Sequence, residues 1–158
     1  MKTIYLAGGC FWGVQHFIDS ANGVVKTVVG YANGQTENPT YEEVRYLGSG
    51  HTETCLVEYD ESILSLNKLI DRFLEVIDPF SINKQGEDEG ISYRSGIYYL
   101  ETEDLKIIKE EIQKVEKAHL RKVAVEVMPL KNFYPAEEYH QKYLFKHPNG
   151  YCHILEKF

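Results

Sequence analysis

The 158-residue sequence has few cysteines, a deficit of positive charge and no long hydrophobic run. No apolar stretch approaches the roughly 20 residues that a membrane-spanning helix needs. Lys and Arg number 17 against 24 Asp and Glu, a net charge of -7, whereas nucleic-acid-binding proteins usually have a basic face. The apolar patch in MKTIYLAGGC is shorter than a signal-peptide core of about 7–15 residues. We therefore expect a cytoplasmic protein with no membrane and no nucleic-acid partner.

The cysteines are Cys10, Cys55 and Cys152. Three cysteines cannot form a fully paired disulfide framework, and no Cys-x-x-Cys or Cys/His spacing of the zinc type occurs. The six histidines are scattered along the chain. The sequence therefore predicts neither a disulfide scaffold nor a structural metal site.

Hydrophobic periodicity predicts a single domain over residues 1–158. Strands are expected at KTIYLA, GVVKTVVGY, HTETCLVEY and SGIYYL, and helices at FWGVQHFIDS, which opens at about Cys10, and LNKLIDRFLEVI. This β-α-β-β-α-β order is that of ferredoxin-like folds. We therefore expect an α+β protein, a ferredoxin-like two-layer α/β sandwich with helices on one face and a C-terminal extension.

The extension is predicted to contain a helix around Leu105–Val115, a strand at KVAVEVMPL and a short helix at PAEEYHQKYL. ANGQTENPT and INKQGEDEGISYR are predicted to be loops. The tail, about residues 146–158, is expected to be mobile, as termini usually are. It carries Cys152, and a mobile cysteine is typical of a resolving thiol, although a structural role is the alternative.

Cys10 lies where a strand ends in two glycines and a helix begins. The glycines let the backbone turn sharply and leave the thiol unobstructed. A helix N-terminus favours an anion, which would lower the thiol pKa by up to about 1.5 units. Cys10 is therefore a candidate nucleophile, substantially ionised near neutrality. The alternative is a small core residue.

Three further features surround this candidate. Phe11 and Trp12 point about 100° apart on a helix, so one of them should lie near the surface and offer an apolar pocket. Glu53 shares a strand face with Cys55 and other apolar residues, and burial would raise its pKa so that it could donate a proton. A position at the frayed strand start, facing water, is the alternative for Glu53.

Tyr41, Tyr93 and Asp88 lie in the two polar loops. Each is weak evidence alone. Loop tyrosines usually cover an edge of the core, and Asp88 lies in a run of charged residues that is typical of a solvated loop.

Taken together, these residues resemble the A-type methionine sulfoxide reductases. The similarity covers nearly the whole chain, through GCFWG, GYANG, NPTYEEV, GHTE, YRSGIYY, AEEYHQKYL and GYC in this order. The resemblance implies that the Cys10 thiolate attacks the sulfur of methionine S-sulfoxide, free or in oxidised proteins. It implies that protonated Glu53 is the acid and that the hydroxyls of Tyr41 and Tyr93 bind the sulfoxide oxygen.

The resemblance also implies that Phe11 and Trp12 hold the S-methyl group, and that Asp88 supports substrate or water. Cys10 would be left as a sulfenic acid, and a Cys10–Cys152 disulfide would follow. Thioredoxin would then reduce this disulfide by exchange. No metal, flavin or nucleotide cofactor is implied, and we expect a monomer.

Two departures from the family pattern stand out. Some members carry a further cysteine in a longer tail, but no cysteine follows Cys152 here, which implies a one-step relay. The loop QGEDEGISYRS has Glu87 and Glu89 where relatives often have Asn and a basic residue. This acidic loop puts the role of Asp88 in question, and it could disfavour acidic sequence around a substrate methionine.

Two other classes of function stay open at this stage. One is another thiol enzyme, either a peroxide-reducing sensor or an acyl-transfer enzyme using His51 as the base beside Cys10. The other is a non-catalytic protein that binds methionine or its sulfoxide through Phe11 and Trp12.

Overall fold

The computed structural model describes residues 1–158. The strands are β1 (Lys2–Ala7), β2 (Val24–Ala32), β3 (Thr52–Tyr59), β4 (Lys84–Gln85), β5 (Asp88–Glu89), β6 (Gly96–Tyr99), β7 (Glu126–Pro129) and β8 (Phe133–Pro135). The helices are α1 (Phe11–Asp19), α2 (Tyr41–Tyr46), α3 (Leu66–Val76), α4 (Thr102–His119) and α5 (Tyr143–Lys146). None of these helices combines the length and the apolar composition that a bilayer crossing needs.

The main sheet has the strand order β7-β6-β1-β3-β2-β8. Its four central strands, β6-β1-β3-β2, pair antiparallel throughout. With α1 between β1 and β2 and α3 between β3 and β6, they form the predicted ferredoxin-like β-α-β-β-α-β unit, which is confirmed. β7 extends one edge in parallel and β8 extends the other antiparallel. β4 and β5 form a separate hairpin.

The core lies between one face of this sheet and helices α1, α3 and α4. Successive residues of a strand point to opposite faces, so Ile4 and Leu6 of β1 join the main core while Tyr5 and Ala7 join a smaller cluster behind the sheet. On β3, the residues facing the helices are Cys55, Val57 and Tyr59. Glu53 has the same parity and therefore lies at the end of the core face.

Several short elements lie where the sequence predicted only loop or nothing, among them the β4–β5 hairpin, α2 and β8. α2 forms inside the loop at NPTYEEV because Thr40 and Glu43 make a capping box. The Thr40 hydroxyl accepts the Glu43 N–H at 3.2 Å, and the Glu43 carboxylate accepts the Thr40 N–H at 3.3 Å. β8 pairs with β2, a tertiary contact that the sequence of its three residues does not predict.

The predicted helix at PAEEYHQKYL is wrong as a single helix. A 3-10 turn, Glu138–His140, and α5 replace it, with Lys142 between them at φ 55°. Tertiary hydrogen bonds cause the break. The Gln141 amide bonds both backbone groups of Val29 at 2.9–3.0 Å, and Gln15 accepts the Lys142 N–H at 2.8 Å.

The tail at 146–158 is docked in this structure. Ile154 belongs to the main core, Phe158 donates its N–H to the Ser20 hydroxyl at 2.8 Å, and Arg72 donates to the Lys157 carbonyl at 2.8 Å. The mobility expected for this segment stays a prediction.

Removing the Thr40 hydroxyl tests the capping box. We expect Thr40→Ala to lower the free energy of unfolding by about 1 kcal/mol, because one orphan N–H at the start of α2 loses its acceptor. Urea unfolding measures the change. Thr40→Ser keeps the hydroxyl and should stay near wild type. Equal stability of the alanine variant would show that the box contributes nothing.

Candidate active site

Cys10 is the N-cap of α1 and is almost buried, with 8% of its surface exposed. Gly9, at φ +86°, makes the turn from β1 into the helix, a conformation that favours glycine. A Cβ at Gly8 would lie 2.9 Å from the Phe73 ring, and one at Gly9 2.5 Å from Gln85. The two glycines therefore allow both the turn and the close packing beneath the cysteine.

The pKa of Cys10 is raised above its usual range. Burial is the main cause, and the carboxylates of Glu53 and Asp88 act in the same direction. The backbone N–H groups of Trp12 and Gly13 favour the thiolate, as a helix start should, but they are outweighed. The prediction of a substantially ionised thiol in the free protein is therefore wrong, because it considered the helix and not the burial.

Glu53 is buried at the start of β3, with 2% of its surface exposed. Its Oε1 accepts the N–H of Phe11 at 3.1 Å, the first residue of α1. Burial raises its pKa from 4.5 to about 8, assisted by Asp88 and opposed by the Phe11 N–H and by Arg45. The carboxyl is therefore mostly protonated at neutral pH. The alternative of a solvent-facing Glu53 is wrong.

Tyr41 and Tyr93 come together beside Glu53 from different segments. Tyr41 is the first residue of α2, and Tyr93 ends a 3-10 turn at Ile91–Tyr93. Burial raises the pKa of both phenols, which also interact with each other and with Glu53. The guanidinium of Arg45 lies 5.1 Å above the Tyr93 ring. Two neutral hydroxyls and a neutral carboxyl thus form one polar group.

The two aromatics after Cys10 differ in exposure, as expected. Phe11 is buried and Trp12 is half-buried. Trp12 stacks on Tyr143, with ring centroids 3.7 Å apart, and its Nε1–H donates to His140 Nδ1 at 3.0 Å. The His140 ring also lies 5.2 Å from the rings of Phe11 and Tyr41.

Sequence reasoning did not identify His140, Tyr143 or Glu137 as site residues. Glu137 accepts the Tyr31 hydroxyl at 2.7 Å and the Tyr41 N–H at 3.2 Å, which ties the C-terminal segment to α2. All three residues lie within AEEYHQKYL, so the motif was visible. Its residues contact the site only through the tertiary fold, and no local spacing reveals that contact.

Asp88 is half-buried on β5, and its carboxylate acts on both Cys10 and Glu53. Burial raises its own pKa, against His153 and Arg45, and its Oδ2 is buried with no hydrogen-bond partner. The neighbouring Glu87 and Glu89 are exposed. The acidic departures from the family pattern therefore face solvent, while Asp88 faces the site.

Cys152 lies over the first turn of α1. A Cβ built on Gly13 would be 3.4 Å from its sulfur, which lies 2.8 Å from the carbonyl of Ile154. All three cysteines are free thiols, and Cys55 is fully buried in the core. Cys10 and Cys152 thus approach the same end of α1.

His51 is not available as a base for Cys10. It is fully buried, its Nδ1 accepts the Gly34 N–H at 3.1 Å, and its Nε2 bonds the Thr36 carbonyl at 2.8 Å. Both ring nitrogens are hydrogen-bonded to the loop after β2, which argues against the acyl-transfer alternative. No group of three or more His, Cys, Asp or Glu side chains is arranged to hold a metal ion.

Glu53→Gln tests the raised pKa of the buried carboxyl. Between pH 4.5 and about 8, folded wild type keeps a proton on Glu53 that the unfolded chain has released. Its unfolding free energy should therefore fall as pH rises, by up to about 1.4 kcal/mol per pH unit. Glutamine does not titrate, so the variant should gain stability relative to wild type with rising pH.

Urea unfolding between about pH 5 and about pH 8 measures this difference. The exposed Glu61 gives the control, because Glu61→Gln removes a carboxyl group that is not desolvated. Parallel pH curves for wild type and Glu53→Gln would contradict a raised pKa.

Comparison with known proteins agrees with this geometry. The family described as peptide methionine sulfoxide reductase matches residues 2–157. The peptide methionine sulfoxide reductase MsrA of Clostridium perfringens is 57% identical over 154 residues, 98% of each chain.

Solved structures agree as well. Reduced Mxr1 from Saccharomyces cerevisiae superposes with a TM-score of 0.92 at 36% identity, covering 99% of this chain and 92% of that one. Mxr1 in complex with Trx2 matches with a TM-score of 0.65 at 30% identity, covering 90% and 84%. The chain therefore belongs to the peptide methionine sulfoxide reductase family and is an oxidoreductase that reduces methionine sulfoxide.

Proposed function

We propose that Cys10 is the nucleophile and Glu53 the acid in the reduction of methionine S-sulfoxide. The observation that carries this assignment is a buried carboxyl, held neutral by its surroundings, beside the cysteine at the start of α1. The Cys10 sulfur attacks the sulfoxide sulfur, and negative charge develops on the oxygen. Glu53 protonates that oxygen, and transfer of the resulting hydroxyl to the Cys10 sulfur, with cleavage of the bond between the two sulfurs, gives the sulfenic acid and releases methionine.

The raised pKa of Cys10 fits the proton balance of this reaction. A thiol and a sulfoxide give a sulfenic acid and a thioether, so the proton of the Cys10 thiol ends on the oxygen. Glu53 gives its proton to the oxygen and regains one from the thiol. The Cys10 thiol therefore gives up its proton as its sulfur attacks, and the neutral Glu53 carboxyl is the group that exchanges protons with it and with the oxygen.

The remaining residues hold the two substituents that make the sulfoxide chiral. Tyr41 and Tyr93 present hydroxyls beside Glu53 and bind the oxygen. Phe11 and Trp12 bind the S-methyl group, with Trp12 held by Tyr143 and His140. Oxygen and methyl fixed on opposite sides allow only one epimer. Asp88, with an unpartnered buried oxygen, binds a substrate N–H or a water.

Cys152 resolves the sulfenic acid on Cys10 by forming a Cys10–Cys152 disulfide, which thioredoxin reduces by exchange. The position of Cys152 over the first turn of α1 supports this role, and the yeast relative crystallised with Trx2 supports the partner. The substrates are free methionine sulfoxide and oxidised proteins. The monomeric state and the cytoplasmic compartment are predictions from the sequence.

A single turnover without reductant tests nucleophile and resolver together. Reduced protein mixed with excess S-epimer methionine sulfoxide should release about one methionine per chain, because the disulfide then blocks further cycles. Peptide mass spectrometry should find Cys10 linked to Cys152.

Cysteine variants sharpen that experiment. Cys10→Ser should release no methionine, and Cys152→Ser should release it while leaving Cys10 as sulfenic acid. Cys55→Ser is the matched control and should behave as wild type. Binding of the sulfoxide without methionine release would contradict the enzymatic proposal, and methionine with unlinked Cys152 would contradict only its role as resolver.

The exposed glutamates of the β4–β5 hairpin should bias the choice of substrate. We expect Lys-flanked methionine sulfoxide peptides to have kcat/KM severalfold above Glu-flanked ones, an advantage that shrinks with salt because exposed charges are screened. Glu87→Lys/Glu89→Lys should reverse the preference. Glu61→Lys/Glu110→Lys makes the same charge change at exposed positions on other elements. Equal initial rates on both peptides would refute the effect.

A further inference from the structure

His153 follows the proposed resolving cysteine and is fixed by one hydrogen bond. Its Nε2 lies 2.6 Å from the carbonyl oxygen of Gly8, at the end of β1. A carbonyl can only accept, so Nε2 must carry the hydrogen. The other nitrogen, Nδ1, is therefore left with a free lone pair while the ring is neutral.

This Nδ1 is buried and has no hydrogen-bond partner. A buried polar atom without a partner is costly, which makes such an atom a candidate for a role in another step. A Cβ on Gly13 would lie 3.0 Å from His153 Nδ1 and 3.4 Å from the Cys152 sulfur. The lone pair and the thiol thus lie against the same glycine in the first turn of α1.

Glycines on both sides of Cys10 make room for this arrangement. A Cβ at Gly9 would lie 3.1 Å from His153 Nε2, and any side chain at Gly13 would press on the imidazole and the Cys152 sulfur. The GCFWG motif therefore serves the tail as well as the nucleophile, because its glycines form the surface on which residues 152–153 rest.

We propose that the His153 imidazole accepts the proton of the Cys152 thiol when Cys152 attacks the sulfenic acid on Cys10. The proposal rests on the proposed function, which supplies that sulfenic acid. The new S–S bond forms as the S–O bond of the sulfenic acid breaks. The departing hydroxyl takes a proton from His153 and leaves as water, so that a sulfenic acid and a thiol give a disulfide and one water.

The surroundings of His153 suit a proton acceptor. Burial lowers its pKa, so that the ring is neutral near pH 7, while Asp88 acts in the opposite direction. Asp88 would thus stabilise the imidazolium that forms briefly. The Cys152 thiol now bonds the Ile154 carbonyl at 2.8 Å, and movement of the sulfur towards Cys10 would exchange that acceptor for Nδ1.

Two substitutions separate proton transfer from simple anchoring of the tail. His153→Gln keeps an amide N–H for the Gly8 carbonyl but has no basic lone pair, whereas His153→Ala removes both. Single-turnover experiments would follow methionine release and disulfide formation in the same sample. We expect the rate of disulfide formation, relative to methionine release, to fall about 100-fold in both variants. Added imidazole should restore part of the rate in His153→Ala.

A wild-type ratio of the two rates in His153→Gln would overturn the proposal, because the ring would then act only as an anchor. The same conclusion would follow if Gln slowed the step far less than Ala. His16→Gln, at an exposed position of α1, is the matched control for loss of a histidine. Absence of methionine release in wild type would contradict the proposed function instead, so the two failures are distinguishable.

Discussion

The burial of Glu53 is the constraint on which the site depends. A carboxyl at the end of a core strand face, with one backbone N–H as its observed partner, retains its proton at neutral pH because water cannot stabilise the charge. The same exclusion of water raises the pKa of Cys10. Burial therefore favours the neutral form of both groups, which is the starting state that the proposed exchange of protons requires.

The ferredoxin-like sheet produces this burial from segments that are distant in the chain. Cys10 follows the end of β1, and Glu53 is the second residue of β3, which pairs antiparallel to β1, so both lie at the same end of the sheet. That end of the sheet is covered by α2, the β4–β5 hairpin and the C-terminal segment, each through polar contacts. Glu137 and Gln141 hold the last of these on β2 and α2. The site thus lies between the end of the sheet and the segments that cover it.

Much of the fold and most of the site could be predicted from the sequence. Period-two and helical patterns located the six core elements, because their apolar faces must be buried. The motif GCFWG and the alternation around Glu53 marked a candidate nucleophile and a buried carboxyl. His140, Tyr143 and His153 could not be assigned this way, because each contacts residues more than a hundred positions earlier.

The sequence by itself determined the order of elements, the glycine turn before α1 and the candidates for the reacting groups, because these follow from local pattern and residue chemistry. The tertiary structure decided the raised pKa of Cys10, the break in the predicted C-terminal helix and the docking of Cys152 and His153 over Gly13. Desolvation and long-range hydrogen bonds depend on every segment that covers a residue. The residues next to Cys10 in the sequence therefore do not show that burial outweighs the effect of the helix N-terminus on its pKa.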